Sequence, residues 1–281
     1  MKIAISLFVV ITALCVLLPG ELIAAESEAQ FRQRVSTGDE ELSSDVAEEV
    51  RFGREVAARV IARYGLYENP KLMKYVNLVG RVIARTTNRP ELDFHFAILN
   101  TEEINAYAAP GGYVFITRGA LLKMQDEAEL AGVIAHEMGH IVEKHVVKEL
   151  KIKGADESAA AGLAALIGGT SQSARTAFSQ AVDKTMDILF KDGYKREDET
   201  QSDKDAVLFC ALSGYEPSGL VKYFERLNAA KGKNTGVLDK THPAYVDRIA
   251  LLKGTITQEG VDTGIYKSHQ ERFAEVVKEL K

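Results

Sequence analysis

Two histidines four residues apart, His136 and His140, constrain this 281-residue chain more than any other feature of its sequence. They lie in its strongest helical pattern, residues 126–150, where a separation of four residues turns both imidazoles toward one face. Two neutral imidazoles placed in this way form half of a tetrahedral Zn²⁺ site. Glu137 completes the pattern H-E-x-x-H, and its carboxylate can take a proton from a water that zinc has acidified.

A catalytic zinc site needs a third protein ligand and an open fourth position. A third histidine six residues after His140 is excluded, because that residue is Val146. His145 points about 140° away from His140 on a continuous helix, so we interpret it as structural. Glu199 and Asp203 share the i,i+4 spacing of the two histidines. One carboxylate can bind zinc while the other holds a ligand imidazole, although acidic residues there also suit a solvated helix start.

The first 25 residues differ from the rest of the chain. Lys2 precedes a nearly unbroken apolar run over residues 3–18, and the small residues Ala24 and Ala25 follow. This order is typical of a secretory signal, so we expect residues 1–25 to be removed on export. The alternative is an uncleaved membrane anchor formed by residues 3–20, although the apolar run is slightly short for a spanning helix.

The remaining chain is predicted to be mainly helical. Residues 26–43 are polar and predict a flexible segment, and residues 44–281 predict a single domain. Only two stretches are typical of strands, 92–99 and 113–117, and helical spacing predominates elsewhere. The expected fold class is therefore α+β, with a small β-sheet beside the helix of residues 126–150.

The composition limits the classes of partner. Hydrophobic residues make up 46% of the chain and charged residues 27%, which is the balance of a folded protein. The 35 basic and 40 acidic residues give a net charge of −5. A chain with no basic excess lacks the electrostatic footprint of a nucleic-acid-binding protein, so we expect no nucleic-acid partner.

A long excursion separates the two predicted metal helices. Residues 154–193 lie between His140 and Glu199 and begin with a stretch rich in alanine and glycine. Long insertions beside an active site are commonly lids, and Gly168 and Gly169 are suitable hinges. The segment therefore predicts either a lid over the metal or a fixed pair of core helices.

Four stretches of the chain, in order, resemble one enzyme family. They are residues 105–119 before the metal helix, the H-E-x-x-H motif, Arg196-x-x-Glu199-x-x-x-Asp203, and Thr241-His242-Pro243 with Arg248. The chain resembles the zinc metallopeptidases of the CAAX prenyl protease and HtpX type, in the soluble periplasmic branch that includes BepA and LoiP. It departs from the family pattern at Gln201-Ser202, where Glu-Ala is usual, and neither residue is expected to touch zinc.

The resemblance implies a zincin-like domain that holds one Zn²⁺ per chain through His136, His140 and Glu199. It implies that Glu137 is the general base and that Asp203 holds a ligand histidine. It also implies that His242 either stabilises the oxyanion or occupies zinc in a latent state. The resemblance further implies an edge strand to which an extended peptide adds, formed by Tyr113, Val114, Phe115 and Ile116.

These implications predict a periplasmic zinc endopeptidase that cleaves unfolded or misassembled envelope proteins. Its partners would be polypeptide substrates, with the membrane or the outer-membrane assembly machinery as a candidate association. The oligomeric state stays open. One alternative is a chaperone-like binding protein with a latent zinc site capped by His242. Another is a structural zinc protein, in which Glu137 would be dispensable.

Overall fold

A computed structural model describes residues 44–150, 171–230 and 241–280. The predicted signal peptide and flexible segment lie outside the described residues, as do residues 154–170 of the predicted lid. Within the described ranges, no helix combines the length and apolar character needed to cross a bilayer.

The described chain is mainly helical and carries one three-stranded sheet, which confirms the predicted α+β class. The helices are α1 Ser44–Tyr64, α2 Pro70–Ala84, α3 Arg118–Lys123, α4 Glu127–Val142, α5 His145–Glu149, α6 Gln172–Asp187, α7 Arg196–Ser213, α8 Gly219–Ala229, α9 Tyr245–Gln258 and α10 Gln270–Val277. The strands are β1 His95–Leu99, β2 Ala106–Ala109 and β3 Tyr113–Thr117.

Helix α4 carries the H-E-x-x-H motif through the centre of the protein. The side chain of Asp126 caps its start by accepting a hydrogen bond from the backbone N–H of Glu129 at 2.9 Å. Every residue of α4 is buried. A helix enclosed on all sides holds its side chains in fixed positions, so the motif has a rigid support.

The predicted continuous helix over residues 126–150 is wrong. Helix α4 ends at Val142, and Lys144 adopts left-handed backbone angles, with φ 56° and ψ 37°. This residue reverses the chain, and the short helix α5 begins at His145. The prediction that His145 points away from His140 assumed one continuous helix, so it does not hold.

The sheet order is β1-β3-β2, so β3 is the central strand. It pairs in parallel with β1 and antiparallel with β2. Its hydrogen-bonding groups are occupied on both sides, and no peptide can add to it. The prediction of an edge strand is therefore wrong for Tyr113, Val114, Phe115 and Ile116.

The two outer edges of the sheet differ in availability. The edge of β1 is covered, because the backbone N–H of Tyr67 donates to the carbonyl of Ile98 at 2.8 Å. The side-chain amide of Asn77 donates to the carbonyl of Phe96, also at 2.8 Å. Strand β2 lies against α4, and its outer edge pairs with no other strand in the described ranges. The edge beside the motif helix is therefore β2.

The described part of the predicted lid includes helix α6. This helix packs on α1, where Phe178 meets Phe52 edge to face with ring centroids 5.8 Å apart, and Val182 is fully buried. Residues 172–187 thus contribute to a hydrophobic cluster, as the fixed-helix alternative expects. The predicted hinges Gly168 and Gly169 lie outside the described residues.

Candidate metal centre

Helices α4 and α7 bring three potential ligand atoms together. The Nε2 atoms of His136 and His140 lie 3.1 Å apart. Glu199 approaches from α7, with Oε2 3.7 Å from Nε2 of His136 and Oε1 3.5 Å from Nε2 of His140. All three side chains are buried.

The donor set and its spacing fit a zinc ion. Tetrahedral zinc with bonds of about 2.0–2.1 Å separates neighbouring ligand atoms by roughly 3.3 Å. The three observed separations range from 3.1 to 3.7 Å. Two histidines and one glutamate are also a known ligand set of catalytic zinc. Burial, reinforced by the neighbouring histidines, lowers the pKa of His140 and favours the neutral ring that a metal requires.

A glycine in the motif allows α4 and α7 to approach this closely. A Cβ atom added at Gly139 would lie 3.0 Å from Cα of Ser202 and 3.3 Å from Cβ of Asp205. Both contacts are tighter than ordinary van der Waals contact, and the first is to backbone. Gly139 therefore sets the distance across which Glu199 reaches the two histidines.

The Gly139→Ala substitution is expected to weaken zinc binding about fivefold, since strain of roughly 1 kcal/mol would push α7 outward. Zinc titration of chelator-stripped protein measures this effect. Gly254→Ala on α9 is the matched control, because a Cβ there meets no atom within 4 Å. Equal zinc affinity in both variants would contradict this role of Gly139.

Asp203 and Arg248 support the first ligand. Oδ1 of Asp203 lies 3.0 Å from Nδ1 of His136, so Nε2 is the ring atom that faces Glu199, with Nη2 of Arg248 3.2 Å from it. The Nε and Nη2 atoms of Arg248 donate to the same carboxylate at 2.9 and 2.6 Å. Burial opposes ionisation, but Arg248 and His136 outweigh it and hold the pKa of Asp203 well below its usual range.

His242 contacts the third predicted ligand. Its Nδ1 atom lies 2.8 Å from each carboxylate oxygen of Glu199. Burial would raise the pKa of Glu199, but His242 and Arg248 outweigh burial and lower it. His136, Glu199 and His242 also place one ligand atom each within 4.8 Å of one another. His242 is therefore close enough to the centre for either role that the resemblance implies.

Glu137 lines a partly open cavity beside the centre. The carboxyl group is buried, and burial raises its pKa. His136, His242 and Arg248 share the cavity wall with it. The apolar part of the wall comprises Ala106, Ala120, Val133, Leu220, Tyr223 and Phe224. The cavity thus combines a buried base with a mainly apolar surface.

Comparison with known proteins identifies the family. The model of Peptidase family M48 matches residues 70–256, which is more than half of the chain. The chain belongs to Peptidase family M48. The match confirms the metallopeptidase class and the family resemblance that the motifs predict. It runs from the start of α2 into α9, and every residue of the metal centre lies within it.

Curated relatives carry the same class of name. The beta-barrel assembly-enhancing protease of Escherichia coli (strain K12) is 24% identical over 220 residues, which are 76% of this chain and 45% of that protein. Metalloprotease YcaL of the same organism is 26% identical over 208 residues, 74% of this chain and 76% of YcaL. Metalloprotease LoiP is 23% identical over 197 residues, 69% of this chain and 74% of LoiP. The chain spans less than half the length of the beta-barrel assembly-enhancing proteases that it matches.

Tyr194 is a residue of this M48 centre that the sequence did not reveal. Its ring stacks on His140 with centroids 3.8 Å apart and an interplanar angle of 17°. Its hydroxyl donates to the carbonyl of Ala108 at 3.4 Å, so Tyr194 covers part of the β2 edge. No local pattern marks this residue, since both contacts depend on the path of the chain between α6 and α7.

His145 is the second residue that the sequence did not reveal. Its Nδ1 atom lies 3.0 Å from Nδ1 of His140. Burial, together with the charge of Lys148, lowers the pKa of His145 to about 4, so the ring is neutral at pH 7. The sequence offers one signal for this contact, the position of His145 five residues after His140. On a continuous helix that spacing turns the two side chains apart, so it does not predict a contact.

Proposed function

We propose that this protein is a zinc-dependent endopeptidase that cleaves unfolded or misassembled envelope proteins. The observation that carries the proposal is the convergence of His136, His140 and Glu199 from two helices. Glu137 lines the adjoining cavity as a buried carboxyl group. Metal-assisted peptide hydrolysis requires protein ligands for the metal and a nearby base, and these residues supply both.

In this proposal His136, His140 and Glu199 hold one zinc ion, which when bound polarises the peptide carbonyl and lowers the pKa of water. Glu137 accepts a proton from the attacking water as the new C–O bond forms. It then gives that proton to the nitrogen of the leaving amine as the C–N bond breaks. Burial raises the pKa of Glu137 toward neutral pH, where one carboxyl group can both accept a proton and release it.

Asp203 and Arg248 act on the ligands rather than on the substrate. Asp203 accepts from Nδ1 of His136 and keeps Nε2 directed at Glu199. Arg248 neutralises Asp203 and lies 3.7 Å from Glu199, so both buried carboxylates stay ionised. The centre is thus ordered before substrate arrives.

The outer edge of β2 is the proposed binding edge for an extended substrate. The carbonyl of Asn105 accepts from Thr117 of β3, so the backbone groups of Ala106 and Ala108 point to the free side. Backbone pairing tolerates many sequences, which suits unfolded chains. The Tyr194 hydroxyl donates to the Ala108 carbonyl, and the side-chain oxygen of Asn105 accepts from the Ala106 N–H at 2.9 Å. Both side chains must release these groups when a peptide pairs there.

The cavity beside Glu137 is proposed to receive an apolar side chain of the substrate. Its wall includes Val133 and Leu220 and faces the reacting groups. The guanidinium of Arg248 is already paired with Asp203, so the wall offers no free charge to an acidic residue. Cleavage sites should therefore lie next to apolar residues, which are accessible in unfolded proteins and buried in folded ones.

The setting of the activity is part of the proposal. Export by residues 1–25 would place the enzyme in the periplasm, and residues 3–20 would otherwise anchor it to the membrane. The name of the beta-barrel assembly-enhancing relatives supports an association with outer-membrane assembly. Substrates would then include outer-membrane proteins that fail to assemble.

Cleavage of an unfolded protein with and without a chelator tests the proposed function. Purified protein should cut casein or an unfolded outer-membrane protein, stop in a zinc chelator, and recover when zinc is restored. Mass spectrometry should locate the cuts beside apolar residues. Full activity in the chelator, or a zinc-loaded protein that cleaves no unfolded substrate, would contradict the proposal.

One contact favours a second candidate, a chaperone-like protein with a latent zinc site. His242 lies 2.8 Å from both oxygens of Glu199, a position from which it could cap the metal. In the endopeptidase His242 instead donates a hydrogen bond to the oxyanion. His242→Ala is then expected to lower kcat roughly a hundredfold, because one oxyanion donor is lost.

The direction of the His242→Ala effect separates the two candidates. The measurement is kcat on an unfolded substrate, with zinc content determined in parallel. A rise in kcat at full zinc content would identify His242 as a cap and favour the latent site. The His242→Ala Glu137→Gln double variant is the control, and it should not cleave in either case.

A further inference from the structure

His145 is buried beside the metal centre although it is not among the proposed ligands. Its side chain is 3% exposed, and its Nδ1 atom lies 3.0 Å from Nδ1 of His140. The two ring planes are inclined at 72°, with centroids 5.1 Å apart. The rings therefore meet through their nitrogen atoms and not by stacking.

The backbone at Lys144 produces this contact. Its left-handed conformation ends the path of α4 and returns the chain toward the motif. The side chain of His145 thereby reaches His140, five residues earlier, although the two would diverge on a continuous helix. Left-handed backbone is uncommon for a residue other than glycine, so the return is imposed by the surrounding packing.

The chemistry of a metal ligand fixes the direction of the hydrogen bond. When the neutral His140 ring binds a metal through Nε2, its Nδ1 carries the proton and must donate it. Nδ1 of His145, 3.0 Å away, is then the acceptor, so the proton of that ring lies on Nε2. That atom faces Oδ1 of Asp198 at 3.5 Å, and Asp198 is partly exposed to solvent.

Ser202 contributes to the same contact from α7. Its hydroxyl oxygen lies 3.5 Å from Nδ1 of His145, and the residue is fully buried. His145 is therefore held by groups of α7 on two sides, Ser202 and Asp198.

We propose that His145 is a positioning residue that accepts the Nδ1 proton of His140 and holds that ring with Nε2 directed at the metal. The inference rests on the proposed function, since it takes His140 as a zinc ligand. Asp203 serves His136 in the corresponding way, at 3.0 Å from its Nδ1. Both ligand rings then have a fixed tautomer and orientation, which typically improves metal affinity 10- to 100-fold.

Two variants of similar shape test this role. His145→Leu removes the acceptor atom, whereas His145→Asn keeps an oxygen close to the position of Nδ1. The zinc dissociation constant is expected to rise roughly 10- to 100-fold in His145→Leu and to stay within about threefold of wild type in His145→Asn. Competition with a chromogenic chelator measures both constants, and circular dichroism verifies the fold of the zinc-free proteins.

The comparison separates positioning from a merely structural role. A structural role would lower the unfolding midpoint of the zinc-free protein and leave the zinc affinity of the folded protein unchanged. Wild-type affinity in His145→Leu, or equal losses in both variants, would overturn the inference. If wild-type protein bound no zinc, or if His140→Ala bound zinc as wild type does, the proposed function itself would fail.

A measurement on unsubstituted protein decides the matter even if His145→Leu does not fold. Long-range ¹H–¹⁵N correlation spectra of the zinc-loaded protein report the tautomer of each histidine. We expect the proton on Nδ1 in His140 and on Nε2 in His145. A proton on Nδ1 of His145 would overturn the inference, because that atom could not then accept from His140.

Discussion

Replacing Glu137 with glutamine is expected to reduce kcat for peptide cleavage by about a thousandfold or more. The amide has nearly the same shape but cannot accept the proton of the attacking water. Since Glu137 is not a proposed ligand, the variant should bind zinc and unfold as wild type does. The measurement is the initial rate on an unfolded substrate, with zinc content determined on the same sample.

Glu143→Gln is the matched control for this prediction. Glu143 caps the end of the same helix and pairs with Lys148 at 3.6 Å, outside the metal centre. Its variant should cleave at close to the wild-type rate. Cleavage by Glu137→Gln at near the wild-type rate would refute the general-base assignment. It would also favour the structural zinc alternative, in which Glu137 is dispensable.

Replacing Arg248 with methionine is expected to destabilise the zinc-free protein by about 3–5 kcal/mol at pH 7. The substitution leaves the buried carboxylates of Asp203 and Glu199 without their common cation. It also removes the contact of the guanidinium with the Phe224 ring, whose centroid lies 4.3 Å away. Guanidinium chloride unfolding of the zinc-free proteins measures the loss.

The cost of Arg248→Met should depend on pH with a defined sign. The pKa of Asp203 in the folded protein lies below its usual value of 3.8. The resulting stabilisation is present above the unfolded value and is lost as the pH falls through the folded value. The difference between wild type and variant should therefore be largest above about pH 5 and shrink below pH 4.

An exposed ion pair provides the control for Arg248→Met. Arg196 pairs with Asp247 at 2.8 Å, and the two side chains are 71% and 55% exposed. Arg196→Met should cost less than about 1 kcal/mol, because solvent screens such pairs. Equal losses in both variants, or a loss at Arg248 that does not change with pH, would contradict the buried network.

The sequence predicted those parts of the centre that depend on local spacing. His136 and His140 are four residues apart on one helix, so their convergence follows from helix geometry alone. Spacing could not choose between Glu199 and Asp203, since either can face the metal. The resemblance made that choice, and the folded chain brings Glu199 to the histidine Nε2 atoms and Asp203 to Nδ1 of His136.

The sequence could not predict the order of the strands. Alternating apolar residues indicate that 113–117 is a strand, but they do not identify its neighbours. Strand β3 pairs directly with β1, although β2 lies between them in the sequence. This long-range pairing makes β3 the central strand. The short strand Ala106–Ala109 is entirely buried and shows no alternation. The alternation of 113–117 therefore predicts a strand but not whether that strand is central or at the edge.

The end of α4 was missed for a different physical reason. Glycine is the usual residue where a helix ends in a left-handed turn, and here Lys144 adopts that conformation. Tertiary packing overrides the local preference, so the sequence shows no stop signal before His145. The two partners of His140, His145 and Tyr194, could only be found in the folded protein.

Zinc binding by wild type and His140→Ala tests the central claim most directly, because it examines the ligands independently of any substrate. His95→Ala is the control, since His95 is exposed at the start of β1. We predict one zinc ion per chain in wild type and in the control. The zinc dissociation constant should rise by more than about a hundredfold in His140→Ala. This exceeds the roughly 10- to 100-fold loss typical when a residue that only holds a ligand ring is removed. Full zinc occupancy with wild-type affinity in His140→Ala would contradict the proposed centre.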